Sequence, residues 1–365
     1  MIPAAYAVLN TAAVAHNLQK VREFAPYAKV MAVIKANAYG HGALRIAQAL
    51  QDADGFAVAR VDEGVRLRQS GVKKRIAVLE GFTCAEELEQ LVAYQLDALV
   101  HSHAQLAIFE ASPEREKIAI WLKLDTGMNR LGFKATELPD VYARLRQCSM
   151  IKSPINFITH LANADDKRDG MTLKQIALFN NTLAALTPTL SPENERSIAN
   201  SAGILAWSEA LTDWVRPGIM LYGISPFADS IGVDFGLKPI MSLHSRLIAV
   251  KPITKGDTVG YGGSWVCEQD TMLGVVAIGY ADGYPRYARI GTPVLVNGQC
   301  VPLIGRVSMD MITVDLGSQP NARAGDAVTL WGDGLPVEEI ALCADTIPYT
   351  LVCGVTQRVR HIEAD

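Results

Sequence analysis

One lysine stands out by its position in the sequence. Lys35 directly follows the apolar run 30–34, which has the length and β-branched character of a buried strand, and precedes a turn of mostly small residues, 36–42. An amine in that position is partly desolvated, which lowers the pKa of a lysine and favours the neutral, nucleophilic form. Lys35 is therefore a candidate for attack on a carbonyl carbon to form a Schiff base.

Other polar side chains also stand at the ends of apolar runs of strand length. They are His160 after 156–159, Asn200 and Ser201 after 197–199, and Lys123 and Asp125 at the end of 118–124. In a barrel of alternating strands and helices, reactive residues collect where strands end and loops begin. Taken singly, each of these residues is more typical of a helix cap or a solvated position than of a catalytic one.

Two loop segments could bind an anion. Residues 200–203 (Asn-Ser-Ala-Gly) and 216–219 (Arg-Pro-Gly-Ile) contain small residues that let backbone N–H groups approach a phosphate. Barrels often bind phosphate with the loops that follow strands seven and eight. Neither segment is a P-loop or a dinucleotide fingerprint, so each is a weak motif by itself.

The elements that would position these residues alternate along the first two-thirds of the chain. Eight apolar runs predict buried strands: 30–34, 56–59, 76–79, 98–100, 118–124, 156–159, 197–199 and 219–222. Helical windows such as 84–94, 135–148 and 173–186 lie between them, and a first helix begins with Thr11 as its N-cap. This count predicts a (β/α)₈ barrel of the TIM type, with a doubly wound open sheet as the alternative.

The pattern changes near residue 235. Strand-like segments follow at 243–250, 273–279, 293–296 and 301–303, separated by turn signals. Asn297-Gly298, between the last two segments, predicts a tight hairpin. We therefore predict two domains, a barrel over residues 1–234 and a mostly β domain over residues 235–365.

Composition argues against several classes of protein. With 49% hydrophobic and 20% charged residues, the chain can bury a sizeable core. Its net charge is −4 and no basic stripe is evident, which favours a small polar substrate over nucleic acid. The six cysteines lack metal-ligand spacing, so we expect reduced thiols and no metal site. We also expect no membrane span and no signal peptide, and hence a cytoplasmic protein.

Five segments, in order along essentially the whole chain, resemble motifs of the alanine racemases. They are 32–42 (Ala-Val-Ile-Lys-Ala-Asn-Ala-Tyr-Gly-His-Gly), 121–132 (Trp-Leu-Lys-Leu-Asp-Thr-Gly-Met-Asn-Arg-Leu-Gly), 213–219 (Asp-Trp-Val-Arg-Pro-Gly-Ile), 259–263 (Val-Gly-Tyr-Gly-Gly) and 305–311 (Gly-Arg-Val-Ser-Met-Asp-Met). The resemblance implies an enzyme made of a barrel and a β domain, which uses pyridoxal 5′-phosphate to interconvert L-alanine and D-alanine.

The resemblance implies two opposing bases. Lys35 would bind the cofactor aldehyde and remove the α-proton of D-alanine, while Tyr261 would remove that of L-alanine from the other face. Racemisation requires such a pair, because the proton leaves one face and returns on the opposite one. Tyr261 acts as a base only if its phenolate is favoured, and the family implies a hydrogen-bond chain through His160 to Arg216. Without the resemblance, Tyr261 would be interpreted as a hairpin aromatic between permissive glycines.

The resemblance also implies roles in binding. Arg216 would face the pyridine nitrogen of the cofactor, where its charge disfavours a proton on that nitrogen. Arg130 would bond the cofactor's phenolic oxygen and the substrate carboxylate, which the backbone N–H of Met309 would also hold, with Asp310 in support. The other cofactor-binding residues would be His160, Asn200 and, around the phosphate, Tyr39, Ser201, the backbone of Gly218 and Ile219, and Tyr349.

Lys123 matches a lysine that in many members of the family carries a carbamate formed from CO₂. The carbamate would turn a cation into an anion able to orient Arg130. Broad-specificity relatives often replace this lysine, so its presence favours alanine as the substrate. The family geometry further implies a head-to-tail homodimer, with Tyr261 and Met309 reaching the barrel of the partner.

Other functions of the same architecture stay open at this point. A serine racemase or a racemase of broader specificity would need more room beside the substrate. Basic amino-acid decarboxylases share the fold but lack the Gly-Tyr-Gly-Gly and Ser-Met-Asp pattern. A non-enzymatic pyridoxal-phosphate carrier would be a single barrel, and the roughly 130-residue β region argues against it.

Overall fold

The computed structural model describes residues 4–112 and 116–364. The chain enters through strand β1 (Tyr6–Leu9) and the helix Thr11–Phe24. The side chain of Asn10 caps this helix by accepting a hydrogen bond from the backbone N–H of Ala13 at 3.2 Å. The prediction that Thr11 is the N-cap is therefore wrong: both residue types cap helices, and here the earlier one lies outside the first turn.

Eight parallel strands form a closed barrel in chain order, with the last strand paired to the first. They are β2 (Lys29–Val33), β3 (Gly55–Val58), β4 (Arg75–Val78), β5 (Asp97–Val100), β6 (Ile120–Lys123), β7 (Asn156–Ile158), β8 (Arg196–Ser197) and β9 (Trp214–Val215). This arrangement confirms the predicted (β/α)₈ barrel, and seven of the strands overlap predicted ones. Helices follow the strands at Ala43–Ala49, Val61–Gln69, Ala85–Ala93, His103–Ala111, Leu138–Gln147, Met171–Leu186 and Ser201–Ala206.

The eighth predicted strand is wrong. Residues Ile219–Tyr222 form a 3₁₀ turn, and the two-residue strand β9 closes the barrel instead. The turn is as buried as a strand: its four side chains are at most 1% exposed, and the Tyr222 hydroxyl donates to the carbonyl of Val33 at 2.9 Å. A buried turn and a buried strand have the same apolar composition, so the run alone does not distinguish them.

The second sheet contains eight strands in the order β13-β16-β15-β14-β17-β10-β1-β18, and β11 and β12 form a separate hairpin. Its strands are β10 (Met241–Ile253), β13 (Thr271–Val276), β14 (Pro293–Val296), β15 (Gln299–Ile304), β16 (Ile312–Asp315), β17 (Ala327–Trp331) and β18 (Arg360–Glu363), while β11 is Thr258–Val259 and β12 is Trp265–Val266. Two helices accompany them, Val337–Cys343 and Pro348–Gly354. The predicted hairpin is confirmed, with Asn297 and Gly298 at φ of 50° and 77° between β14 and β15.

Strand β1 belongs to this second sheet. It pairs antiparallel with β10 and parallel with β18, so residues 6–9, which the sequence assigned to the barrel, extend the β domain. The end of the chain returns beside its beginning. The boundary near residue 235 stays a prediction.

The described part of the chain contains neither a helix suited to a membrane span nor a cluster of metal ligands. No helix there is long and apolar enough to cross a bilayer. No group of three or more His, Cys, Asp or Glu side chains in the same residues is arranged to hold a metal ion. All six cysteines are free thiols.

Candidate active site

Lys35 lies two residues beyond the end of β2, at the carboxyl end of the barrel. It opens an unusual turn, because residues 36–39 all have φ between 51° and 54° and so coil in the left-handed sense. For non-glycine residues this costs about 1–2 kcal/mol each, and such strain persists only where the surroundings enforce it. Here Glu63 accepts a hydrogen bond from Ala36 N at 2.7 Å, and Asn37 accepts one from Ala43 N at 2.9 Å.

Gly40 ends the turn at φ of 83° and makes the turn's contact with the β domain. A Cβ atom at this position would lie 2.3 Å from the carbonyl oxygen of Val352, so no larger residue fits without movement. Val352 belongs to the helix Pro348–Gly354. The lysine turn is thus held between the barrel and the second domain of the same chain.

The half-buried Lys35 amine has a lowered pKa. Burial is the main cause and the positive charge of Arg130 the second, while Glu80, Glu63 and Cys353 act in the opposite direction. Both leading causes favour the neutral amine, which is the form that attacks a carbonyl carbon or accepts a proton.

Lys123, the last residue of β6, belongs to the same group of cations. Its side chain is 8% exposed, and burial together with the charges of Arg216 and Arg130 lowers its pKa to about 8. Asp125 opposes this shift, but its carboxylate is already paired with Lys134 at 3.0 Å. A substantial fraction of Lys123 is therefore the neutral amine near pH 7.5.

Arg216, which follows β9, is buried among neutral acceptors. Its Nη1 donates to the Ser197 hydroxyl at 2.6 Å, and its Nη2 donates to the carbonyls of Thr159 at 2.6 Å and Ile198 at 3.2 Å. Burial lowers its pKa to about 9, so it stays charged at neutral pH. Burial and this charge hold the pKa of His160 well below its ordinary value, so the imidazole is neutral.

The residues expected around a phosphate lie together, where the loops after β8 and β9 meet the lysine turn and the helix Pro348–Gly354. Ser201 Oγ accepts a hydrogen bond from Gly218 N at 2.9 Å, which leaves the hydroxyl proton of Ser201 free to donate. The Tyr39 hydroxyl lies so close to Gly218 that a Cβ there would be 2.5 Å away. The Tyr39 ring also packs against that of Tyr349, with centroids 5.9 Å apart, and Ile219 is fully buried.

This cluster has the donors that a phosphate needs. Burial raises the pKa of both Tyr39 and Tyr349, so their hydroxyls remain protonated. Asn200 has a different task, since its side chain caps the helix Ser201–Ala206 by accepting from Gly203 N at 2.9 Å. It therefore shapes the loop rather than offering its amide oxygen to a ligand.

Tyr261, Met309 and Asp310 lie on the surface of the β domain. Tyr261 is 67% exposed on a turn where Gly260 and Gly262 have positive φ, and Met309 is 52% exposed. The structure of one chain thus brings the barrel residues together and leaves this second group facing solvent.

Glu63, Cys353 and Arg358 are among the neighbours of these groups that sequence reasoning missed. Glu63 and Cys353 both act on the Lys35 amine, and Arg358 pairs with Asp310 at 2.8 Å. Only Glu63 carried a usable signal, because an acidic residue in the first turn after a strand is typical of helix capping. The other two are brought into place by the C-terminal segment, which no local pattern reveals.

Comparison with known proteins agrees with this geometry. The sequence-family model of the alanine racemase N-terminal domain matches residues 9–226, and the family model of the alanine racemase C-terminal domain matches residues 240–363. The chain is 52% identical to the biosynthetic alanine racemases of Shigella sonnei and Escherichia coli strain K12, over 98% of each chain. The solved biosynthetic alanine racemase from Pseudomonas aeruginosa matches with a TM-score of 0.95 at 43% identity, over 100% of both chains. That from Acinetobacter baumannii matches with 0.90 at 33% identity, over 99% of both.

Proposed function

The chain belongs to the alanine racemase family, and from that premise we propose that it interconverts L-alanine and D-alanine using pyridoxal phosphate bound at Lys35. The observation that carries the proposal is the desolvated Lys35 amine, close to the positive charges of Arg130 and Lys123 at the catalytic end of a barrel. The alanine racemase family models match both domains of the chain. A carrier made of a single barrel would lack the second match, and a decarboxylase is not the family that these models describe.

The residues present fit the cofactor. The positive charges of Lys35, Lys123, Arg130 and Arg216 and the hydroxyl donors of Tyr39, Ser201 and Tyr349 suit a phosphate dianion, and Gly218 leaves the space it needs. Arg216 would hold the pyridine nitrogen. When bound, pyridoxal phosphate supplies an electron sink for the charge left on the substrate α-carbon.

Two residues would handle the α-proton. Lys35 Nζ would remove the α-proton of D-alanine while Tyr261 Oη supplies a proton to the opposite face, and the two residues would exchange these tasks for L-alanine. Tyr261 is exposed on its own β domain, so we propose that it serves the barrel of a second subunit in a head-to-tail homodimer. Neutral His160 would pass a hydrogen bond from Arg216 toward that tyrosine.

The substrate carboxylate would be held by Arg130 and by the backbone N–H of the partner's Met309. Lys123 supports Arg130 once it carries a carbamate: the neutral amine attacks CO₂, a C–N bond forms, and one proton is released to solvent. The pKa of about 8 supports this step, because an ordinary lysine is almost wholly protonated at neutral pH. The product is an anion in a group of cations, which relieves their repulsion.

The exposed apolar side chains of the β domain support an interface. Tyr261, Tyr280, Met309 and Met311 are between 40% and 67% exposed, and monomeric proteins rarely expose such groups together. A cytoplasmic location and a preference for alanine over serine belong to the same proposal.

The test is to reduce the purified, cofactor-loaded protein with borohydride and map the modified peptide by mass spectrometry. We expect the cofactor adduct on Lys35 and racemisation of alanine faster than of serine. An adduct on any other lysine would overturn the assignment of Lys35. A loaded protein that racemises serine as well as alanine would overturn the proposed preference.

A further inference from the structure

Arg358 joins two turns of the β domain through their carboxylates. Its Nη2 donates to Asp310 Oδ1 at 2.8 Å, and its Nε lies 3.3 Å from Asp282 Oδ1. Asp282 is buried, at 6% exposure, and its second oxygen accepts a hydrogen bond from Gly279 N at 3.0 Å. One guanidinium group therefore spans the turn 279–282 and the segment 308–311.

The same two turns are fastened by their backbones. Tyr280 N donates to the carbonyl of Ser308 at 3.1 Å, and Ala281 N donates to the carbonyl of Met309 at 3.0 Å. They approach so closely that a Cβ on Gly279 would lie 2.3 Å from the Met309 carbonyl oxygen. The position of Met309 thus depends on the turn that Arg358 ties to it.

The ion pair between Arg358 and Asp310 bears on the proposed reaction because of the negative charge of Asp310. Asp310 is next to Met309, whose backbone N–H would donate a hydrogen bond to the carboxylate of alanine, and an unpaired Asp310 would repel that carboxylate. We propose that Arg358 is a positioning residue for substrate binding, which neutralises Asp310 and fixes the 308–311 segment for use by the partner's barrel. The inference rests on the proposed racemase function and on its head-to-tail dimer.

Removing Arg358 weakens substrate binding without touching the groups that move the proton. We expect Arg358→Ala to raise the KM for alanine by about 5- to 10-fold, with kcat within about 2-fold of the wild type. Arg360→Ala is the matched control, because Arg360 is exposed two residues further along and touches neither turn's carboxylate. A wild-type KM in Arg358→Ala would overturn the proposal.

Two readouts separate charge neutralisation from a merely structural role. Asp310→Asn in the Arg358→Ala background should restore most of the KM, since it removes the charge that Arg358 no longer covers. The KM defect of Arg358→Ala should also shrink at high salt, because exposed charges are screened. If Asp310→Asn left the raised KM of Arg358→Ala unchanged, and salt did not lower that KM either, the proposed neutralisation of Asp310 by Arg358 would be contradicted.

Hybrid dimers test whether Arg358 acts on the partner. In a dimer of one Arg358→Ala subunit and one Lys35→Ala subunit, the only intact Lys35 faces a β domain that retains Arg358. We expect that hybrid to show the wild-type KM, whereas the KM of the Arg358→Ala homodimer would place the effect within one subunit and refute the proposal.

A second hybrid, Tyr261→Phe with Lys35→Ala, checks the premise. If this hybrid dimer is active, the result supports an active site shared between the two subunits. No activity would refute the head-to-tail dimer and this inference with it, whereas a failure confined to the first hybrid would refute the inference alone.

Discussion

The two ends of the barrel hold their basic residues in opposite ways. At the amino ends of the strands, Arg75 forms an ion pair with Asp97 and another with Glu195 at 3.0 Å. At the carboxyl ends, Lys123 and Arg216 lie in one group, and the hydrogen bonds of Arg216 go to a hydroxyl and to carbonyls. Arg75 is thus neutralised by two carboxylates at the amino end, whereas at the carboxyl end the charges of Arg216 and Arg130 act on Lys123 more strongly than that of Asp125.

Aromatic rings complete the amino end. The Arg75 guanidinium lies 5.0 Å and 5.4 Å from the ring centroids of Trp121 and Trp214, and Trp121 Nε1 donates to Asp97 at 3.1 Å. This packing closes the floor of the barrel around the ion pairs of Arg75. Balanced charge is what we expect at the end of a barrel that stabilises the fold, and clustered positive charge is what we expect at an end that binds an anionic ligand.

The largest expected effect comes from two lysines at opposite ends of strand β2. Lys35→Ala should lower racemisation by more than about 10³-fold, because it removes both the cofactor attachment and one base. When both proteins are free of cofactor, its thermal midpoint should stay the same or rise, because the change removes a partly desolvated cation from a group of cations. Lys29→Ala should cost at most about 1 kcal/mol, since Lys29 is half exposed in its 2.6 Å pair with Glu195, and should leave kcat unchanged.

Steady-state assays and thermal melts of the two variants check this contrast. If Lys29→Ala lost activity as Lys35→Ala does, the division between the two ends would be wrong.

Arg75→Met sharpens the comparison from the structural side. It leaves the buried carboxylate of Asp97 without its cation, and burial already raises the pKa of that carboxyl. We expect the free energy of unfolding to fall by about 3 kcal/mol, measured by urea denaturation, with unchanged KM and kcat. Adding Asp97→Asn should recover part of the loss. If Arg75→Met kept the stability of the wild type but changed KM or kcat, the amino end of the barrel would have a role in activity and not in stability.

A smaller effect is expected from Lys123 as the pH changes. Its folded pKa of about 8 lies below the ordinary 10.5, so between these values the unfolded chain binds more protons. The contribution of Lys123 to stability is therefore unfavourable below pH 8 and improves as the pH rises toward 10. In CO₂-free buffer we expect the wild type to gain roughly 1–2 kcal/mol from pH 7.5 to 9.5 relative to Lys123→Met. If the free energies of unfolding of the two proteins changed in parallel with pH, the lowered pKa of Lys123 would be contradicted.

How much of this the sequence predicted depends on the range of the interaction. Lys35 was found because a strand end is a local pattern, whereas β9 was missed because two residues carry no periodicity. The left-handed turn at 36–39 was missed as well, since Val352 and Glu63 hold it from outside the segment. The contacts of Arg75 at the amino end of the barrel could not be predicted either, because they form only once the strands of the closed barrel are paired, and the composition of the chain does not show that pairing.

The most direct test of the two-base proposal is deuterium exchange at the α-carbon by Tyr261→Phe in D₂O. Because the equilibrium constant of a racemisation is one, this variant must lose racemisation equally in both directions, by about 10²-fold or more. We predict that D-alanine nevertheless exchanges its α-hydrogen through Lys35 and remains D-alanine, while L-alanine does not exchange. Racemisation at the wild-type rate, or equal exchange of both enantiomers, would contradict the assignment of Lys35 and Tyr261 to opposite faces.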